Sequence, residues 1–197
     1  WWYPGADGSA GELNELEQIV TKDTKIVALC HVSNLLGEII DLPTIVKLVR
    51  SRAARDCQIV VDGVAYAPHR PIKVSEWGVD WCAFSPYKTF GPHCGCLFGS
   101  RRAFESVRAF GPNHEFVDPK AHAYKFELGG VAHEVSAGLV GMGKYLRVLS
   151  GAAKPEASTT KEAFGSSYAN LQRDCVPSRE DVLVAFARVA SLERAPQ

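Results

Sequence analysis

Residues 57–91 read CQIVVDGVAYAPHRPIKVSEWGVDWCAFSPYKTFG and hold two short apolar runs, each closed by a polar residue. The first, CQIVVDG, is rich in β-branched residues and breaks at Asp62-Gly63, which predicts a strand. The second, DWCAFS, predicts another strand that ends at Ser85. Between them, KVSEWGV has room for a short helix at most. A Pro-Tyr-Lys turn follows the second strand, and glycine and proline follow the turn, so Lys88 is framed rather than scattered. Asp62 and Lys88 lie 26 residues apart with one complete strand between them, which predicts adjacent or next-adjacent strand ends.

The flanking sequence repeats the theme. TKIVALC, residues 24–30, predicts a strand, and PTIVKLVRSRAARD, residues 43–56, a helix. Asp41 and Pro43 at its start and basic residues towards its end suit the helix dipole. GELNELEQIV, residues 11–20, has helical spacing; CGCLFGS, residues 94–100, predicts a fourth strand, and RRAFESVRAF opens another helix. Strand, loop and helix in alternation give an α/β fold: a mainly parallel sheet with helices on both faces. The runs are apolar without strict alternation, as strands covered on both sides are. Ligands of such sheets bind outside the carboxyl ends of the strands. His31, Ser33, Asn34, Asp62, Ser85 and Lys88 all follow predicted strands and are therefore expected on one rim.

Residues 110–130 read as loop, and 131–149 as a helix with small residues on one side. Residues 152–178 are polar and carry no clear pattern, whereas REDVLVAFARVASLER, residues 179–194, predicts an amphipathic helix. Residues 1–197 are read as one domain.

With 46% hydrophobic and 22% charged residues, the 197-residue chain has the composition of a globular domain. Zero formal net charge and the lack of a basic stripe argue against nucleic acid as a partner. No apolar stretch reaches the roughly 18 residues of a membrane span. No targeting leader is visible, and the opening WWYPGADG reads like the interior of a larger protein. Three of the six cysteines sit in strand-like runs, so reduced thiols and an intracellular, cytoplasmic setting are expected; an organelle stays open because the N-terminus reads as truncated. His93, Cys94 and Cys96 in HCGC invite a metal reading, but no second ligand pair stands nearby and no metal is expected.

The rim residues suit one chemistry in particular. A desolvated lysine amine loses its proton and forms a Schiff base with a carbonyl. A carboxylate keeps a pyridine nitrogen protonated, because an opposite charge favours the charged form. A serine hydroxyl holds a phosphate. Aldehyde partner, pyridinium partner and phosphate cradle are the three needs of pyridoxal 5′-phosphate.

HVSNLLGEIIDL, IVVDGVAYAPHRPIKV, GVDWCAFSPYKTFGPHCGCLFG and YKFELGGVAHE resemble the class V aminotransferase family, which includes the cysteine desulfurases, and are most similar to its cysteine-desulfurase-like branch. The resemblance runs in order from about residue 2 to 194 and implies the large domain of a fold-type I pyridoxal-phosphate enzyme, with an N-terminal segment and a C-terminal small domain missing. It implies that Lys88 is the catalytic Schiff-base lysine and the base that moves the substrate α-proton, and that Asp62 pairs with the pyridinium nitrogen. Ser85 matches a phosphate-binding serine, Tyr87 stands where many members place a phosphate-contacting histidine, and Asn34 matches an asparagine near cofactor and substrate carboxylate. His31 is expected to shape the loop beside the cofactor, and His69 to be structural. The resemblance further implies an amino-acid substrate, a homodimer, and desulfuration or, alternatively, transamination; a degenerate, non-catalytic scaffold is the reading from another class.

The chain departs from the family pattern in places. Val64-Ala65-Tyr66 replaces a stretch in which a glutamine touches the ring hydroxyl, and Gly130 replaces a threonine that reaches the partner subunit's phosphate. Lys73 stands where an aspartate is usual, and Cys175 is not at the place of the sulfur-accepting cysteine.

Overall fold

The computed structural model describes residues 2, 11–107, 126, 129–151 and 166–170. Four strands, β1 (Ile26–Cys30), β2 (Gln58–Asp62), β3 (Trp81–Phe84) and β4 (Cys96–Gly99), form one sheet in that order. β1 and β2 pair in parallel, as do β2 and β3, and β4 runs antiparallel to β3. The sheet is thus mainly parallel. Helices α1 (Leu13–Ile19), α2 (Leu42–Arg52), α3 (Val74–Trp77), α4 (Arg101–Ser106) and α5 (His133–Leu149) accompany it.

The predicted elements recur with shorter bounds, and the direction of β4 has a geometric cause. Residues 85–95 join β3 to β4. A parallel return needs a crossover of about a dozen residues or more, usually a helix, and this connection spends part of its length on a single turn.

α2 forms because its apolar residues recur at helical spacing. Leu42, Ile45, Val46 and Val49 are buried on one face, and they meet Val27, Leu29, Ile59 and Val61 of the sheet in one core. Each such side chain contributes about 1.5–3 kcal/mol on burial. Asp41 starts the helix, accepting from the Thr44 N–H at 3.3 Å and from its hydroxyl at 2.7 Å. Such a cap is worth about 1 kcal/mol. On β1 alternate residues are exposed, so among the described residues Ile26, Ala28 and Cys30 form an open face.

The chain divides into two compact units, 1–143 and 144–197, and the division falls within α5. In the second unit Leu146 is buried, the Ser167 hydroxyl donates to the Leu146 carbonyl, and the Asn170 amide donates to the Leu149 carbonyl at 2.8 Å. The predicted amphipathic helix at 179–194 and Cys175 lie outside the described residues.

Candidate active site at the strand ends

The register sets the site. Cys30 lies opposite Asp62, and Asp62 opposite Ala83, so three parallel strands end together. The polar residues that follow them leave from one rim, as the sequence predicts. Asp62 is exposed there, and its carboxylate is steadied by the Val64 N–H, which donates to it at 2.9 Å. Gly63 sits in a tight place beside it: a Cβ at that position would come within 3.3 Å of the Ala83 carbonyl and the Cys82 sulfur. The Gly63 N–H donates to that carbonyl at 2.8 Å and ties the Asp62 turn to β3.

The Asp62 charge is felt on both neighbouring strands. Burial and then the carboxylate push the Cys82 thiol up to about 11, and the same two causes raise Cys30. Cys30 ends β1 at the rim and Cys82 lies buried beneath it in β3, and neither is assigned from the sequence.

Lys88 stands on a 3₁₀ turn, Pro86–Thr89, that opens directly after Ser85. Pro86 and Thr89 are buried and hold the turn down, while Tyr87 and Lys88 face out. The Lys88 N–H donates to the Ser85 carbonyl at 3.0 Å, and the Gly91 N–H to the Pro86 carbonyl at 2.8 Å. Phe90 closes the turn at φ 66°, a left-handed conformation that a bulky residue adopts only under constraint. Gly91 follows, where a Cβ would meet Met142 Sδ at 2.8 Å and Pro86 at 3.0 Å. A Cβ on Gly138 would likewise meet Pro92 at 3.0 Å, so α5 seats its small residues on this turn.

The amine is not shielded as the chemistry in the sequence reading asks: Lys88 is exposed, with its Nζ 5.9 Å from the Tyr87 ring centroid. Pro86 and Thr89 are buried, Thr89 against Met142 of α5, and the two residues between them turn outward. Tyr87 also stacks on His93, with centroids 5.0 Å apart. The Ser85 hydroxyl makes no cap hydrogen bond to the turn it precedes.

His31 is held differently from the rest. It is 3% exposed, its ring stacks on Tyr66 at 3.8 Å, and Trp77 meets it edge-on at 4.7 Å. Its Nδ1 is buried without a hydrogen-bond partner, and burial pulls the imidazole down to about 4. Tyr66, in the stretch where the family pattern has its glutamine, is thus a packing partner of His31. Asn34 is exposed in the following loop, and His69 is exposed as well. Lys73 pairs with Glu76 at 3.3 Å, and Gly130 is exposed.

A cleft of about 570 Å³ opens beside this rim along β1. It takes in Cys30, Ser33 and Asn34, but neither Asp62 nor Lys88, and Leu16, Ile26, Val27 and Leu29 are also among its lining. The cleft is mainly apolar, whereas the groups able to transfer protons stand at the strand ends, so the strand ends are the candidate site. Among the described residues no cluster of His, Cys, Asp or Glu is arranged to hold a metal ion, and no helix is long and apolar enough to cross a membrane.

The donor set suits pyridoxal phosphate by the chemistry of its members: an amine, a carboxylate, and the hydroxyls of Ser85 and Tyr87 leave one rim.

The family model described as aminotransferase class-V matches residues 1–173. An aminotransferase-like protein, FGM3, of Gibberella zeae is 36% identical over 147 residues, covering 74% of this chain and 35% of that protein. The cysteine desulfurase-like protein ustD of Aspergillus flavus is 36% identical over 140 residues, which is 68% of this chain and 31% of that protein. The chain therefore spans about a third of the length of these curated relatives. Among solved structures, the cysteine desulfurase CsdA of Escherichia coli matches with TM-score 0.58 at 24% identity, covering 77% of this chain and 42% of that one. An aspartate aminotransferase of Thermus thermophilus matches with TM-score 0.55 at 16% identity, covering 72% of this chain and 44% of that one. At those identities the structural likeness speaks to the fold.

Proposed function

The chain belongs to the class-V aminotransferase family, whose members are pyridoxal-phosphate-dependent enzymes, and from that premise we propose that it carries the cofactor-binding rim of an enzyme that cleaves the C–S bond of cysteine or a close analogue. The observation that carries the reading is the register that ends three parallel strands at Cys30, Asp62 and Ala83, with the Lys88 turn following the third. Several relatives bear the name cysteine desulfurase or cysteine desulfurase-like, which favours desulfuration over transamination.

Bound at this rim, pyridoxal phosphate would supply an aldehyde that joins an amine and a ring that takes up the electron pair of a broken bond. The residues of the chain do the rest. Lys88 is the residue whose Nζ would hold the aldehyde and would accept and return the substrate α-proton. Asp62 accepts a hydrogen bond from the pyridine N–H and keeps that nitrogen charged. The Ser85 and Tyr87 hydroxyls would donate hydrogen bonds to the phosphate, and the Asn34 amide would meet the substrate carboxylate. His31, neutral and locked between aromatic rings, shapes the wall beside them. Lys88 is exposed, so the group that fills the rim would have to exclude water from its amine.

A homodimer, with the amino acid bound near its interface, completes the reading. A second reading, a chain that binds without catalysis, draws support from Ala65 in place of the ring-contacting glutamine and from the exposure of Lys88. One experiment separates them. The protein is incubated with pyridoxal phosphate, reduced with borohydride and digested, and the pyridoxyl label is mapped by mass spectrometry. Label at Lys88, lost in Lys88→Ala, with alanine released from cysteine and the abstracted sulfur recovered as sulfide once dithiothreitol is added to reduce it, supports the enzyme. Label at Lys88 without turnover supports the binding protein. Label confined to exposed lysines such as Lys25 or Lys47 sinks the cofactor assignment.

A further inference from the structure

The segment that leads from the Lys88 turn into β4 reads His93-Cys94-Gly95-Cys96, and the function proposed above uses neither cysteine. Both are free thiols and both are half-buried, so each is reachable from solvent. β4 opens at Cys96, and a single glycine separates it from Cys94. Burial first, and then the neighbouring Cys94 thiol, raise Cys96. The other described cysteines sit elsewhere: Cys57 and Cys82 are buried in the core, and Cys30 ends β1.

A disulfide needs its two Cα atoms within about 4.4–6.8 Å. Two residues of fully extended chain span at most about 7 Å, just beyond that range. A small bend at the intervening residue closes the gap. That residue is Gly95, which has no side chain to obstruct the bend and has nothing within 4 Å of the place a Cβ would take. The chain before it is already curled, since the Cys94 N–H donates to the Pro92 carbonyl at 2.9 Å. Two free, half-buried thiols, a glycine hinge between them and open space around the hinge are what a reversible bridge requires. Among the described residues no further ligand joins the pair to make a metal site.

We infer that Cys94 and Cys96 form a redox-active dithiol that a peroxide converts to an intrachain disulfide. The step balances in two parts. Attack of one thiolate on the peroxide O–O bond gives a sulfenic acid and releases water once the departing oxygen is protonated. The second thiol then displaces the sulfenic oxygen as a second water, forming the S–S bond, so the sulfur pair loses two electrons and the peroxide gains them. A dithiol reductant returns both thiols by exchange. The site is independent of pyridoxal phosphate and stands even where the reading of Lys88 fails.

Trypsin releases both cysteines, and no other, on the peptide from Thr89 to Arg101. The reduced full chain is treated with excess hydrogen peroxide, alkylated, digested and weighed. The expected peptide is two hydrogens lighter than its reduced form and unalkylated, and dithiothreitol before alkylation restores two alkylated thiols. Cys94→Ser and Cys96→Ser each abolish the light form, whereas Cys30→Ser leaves it unchanged. As a second probe, phenylarsine oxide, which needs two neighbouring thiols, protects this peptide from alkylation in the parent and in neither single variant. Complete alkylation of both thiols after peroxide, over-oxidation of either without a bridge, or a cross-link from either to another cysteine overturns the inference.

Discussion

His31 is the side chain whose environment departs furthest from water among the rim residues. Its imidazole is held neutral, pulled from 6.5 to about 4 by burial. The unfolded chain therefore binds a proton in that interval that the folded chain refuses. Stability rises with pH wherever the unfolded state binds more protons, so this contribution is present above 6.5 and is lost as pH falls towards 4. At 1.36 kcal/mol per unit the full loss is on the order of 3 kcal/mol. His31→Phe keeps a ring against Tyr66 and removes both the titration and the orphaned Nδ1. Urea unfolding at about pH 5 and pH 7.5 is expected to show a smaller difference for the variant than for the parent. Equal differences in the two proteins would mean that His31 titrates normally. The sequence marks His31 as a rim residue but not as a buried one, because its shield, Tyr66 and Trp77, comes from two later segments. Lys88 is the opposite case. Its turn is legible from Ser-Pro and the glycine that follows, yet its exposure depends on which turn residues α5 covers, and that contact is remote in sequence.

At the other end of β3, Asp80 fastens several elements together. It is 1% exposed, and one oxygen accepts from Arg50 of α2 at 2.6 Å and from the Ile59 N–H at the head of β2 at 2.7 Å. The other oxygen accepts from Arg102 of α4. Asp80→Asn keeps an acceptor for the Ile59 N–H but leaves two arginines without their anion. Breaking such a pair costs about 3–5 kcal/mol when both partners are buried, and the arginines here reach solvent, so about 3 kcal/mol is expected. Guanidinium unfolding measures it, and a loss under about 1 kcal/mol would mean the arginines find other partners. The order of helices and strands is legible from apolar spacing because each element is a local pattern. A buried ion pair joining residues 50, 80 and 102 is not, since nothing local separates Asp80 from a turn residue. The direction of β4 is legible only through loop length, because an apolar run such as CLFG reads alike both ways.

β1 forms one end of the sheet, and among the described residues no strand pairs with its outer side. Its open face carries Ile26, 66% exposed, and the apolar cleft runs along it with Leu36 and Ile40. An exposed apolar edge strand is a template for pairing with another chain, and a lysine on it is a natural remedy. The sequence gives no sign of this, because TKIVALC reads as an interior strand; openness depends on what lies beside it, and this chain covers about a third of its curated relatives. Ile26→Lys removes little buried surface, so its effect on unfolding free energy is expected to stay within about 0.5 kcal/mol. Its effect on association is expected to be larger. Light scattering at rising concentration should give an apparent mass that climbs for the parent and climbs less for the variant. A dimer formed through another surface would persist in both proteins, so the difference between the two curves, not the mass itself, reports the edge. Identical curves would mean that β1 is covered in solution by residues outside those described, and a large loss of stability in the variant would mean that Ile26 is buried there.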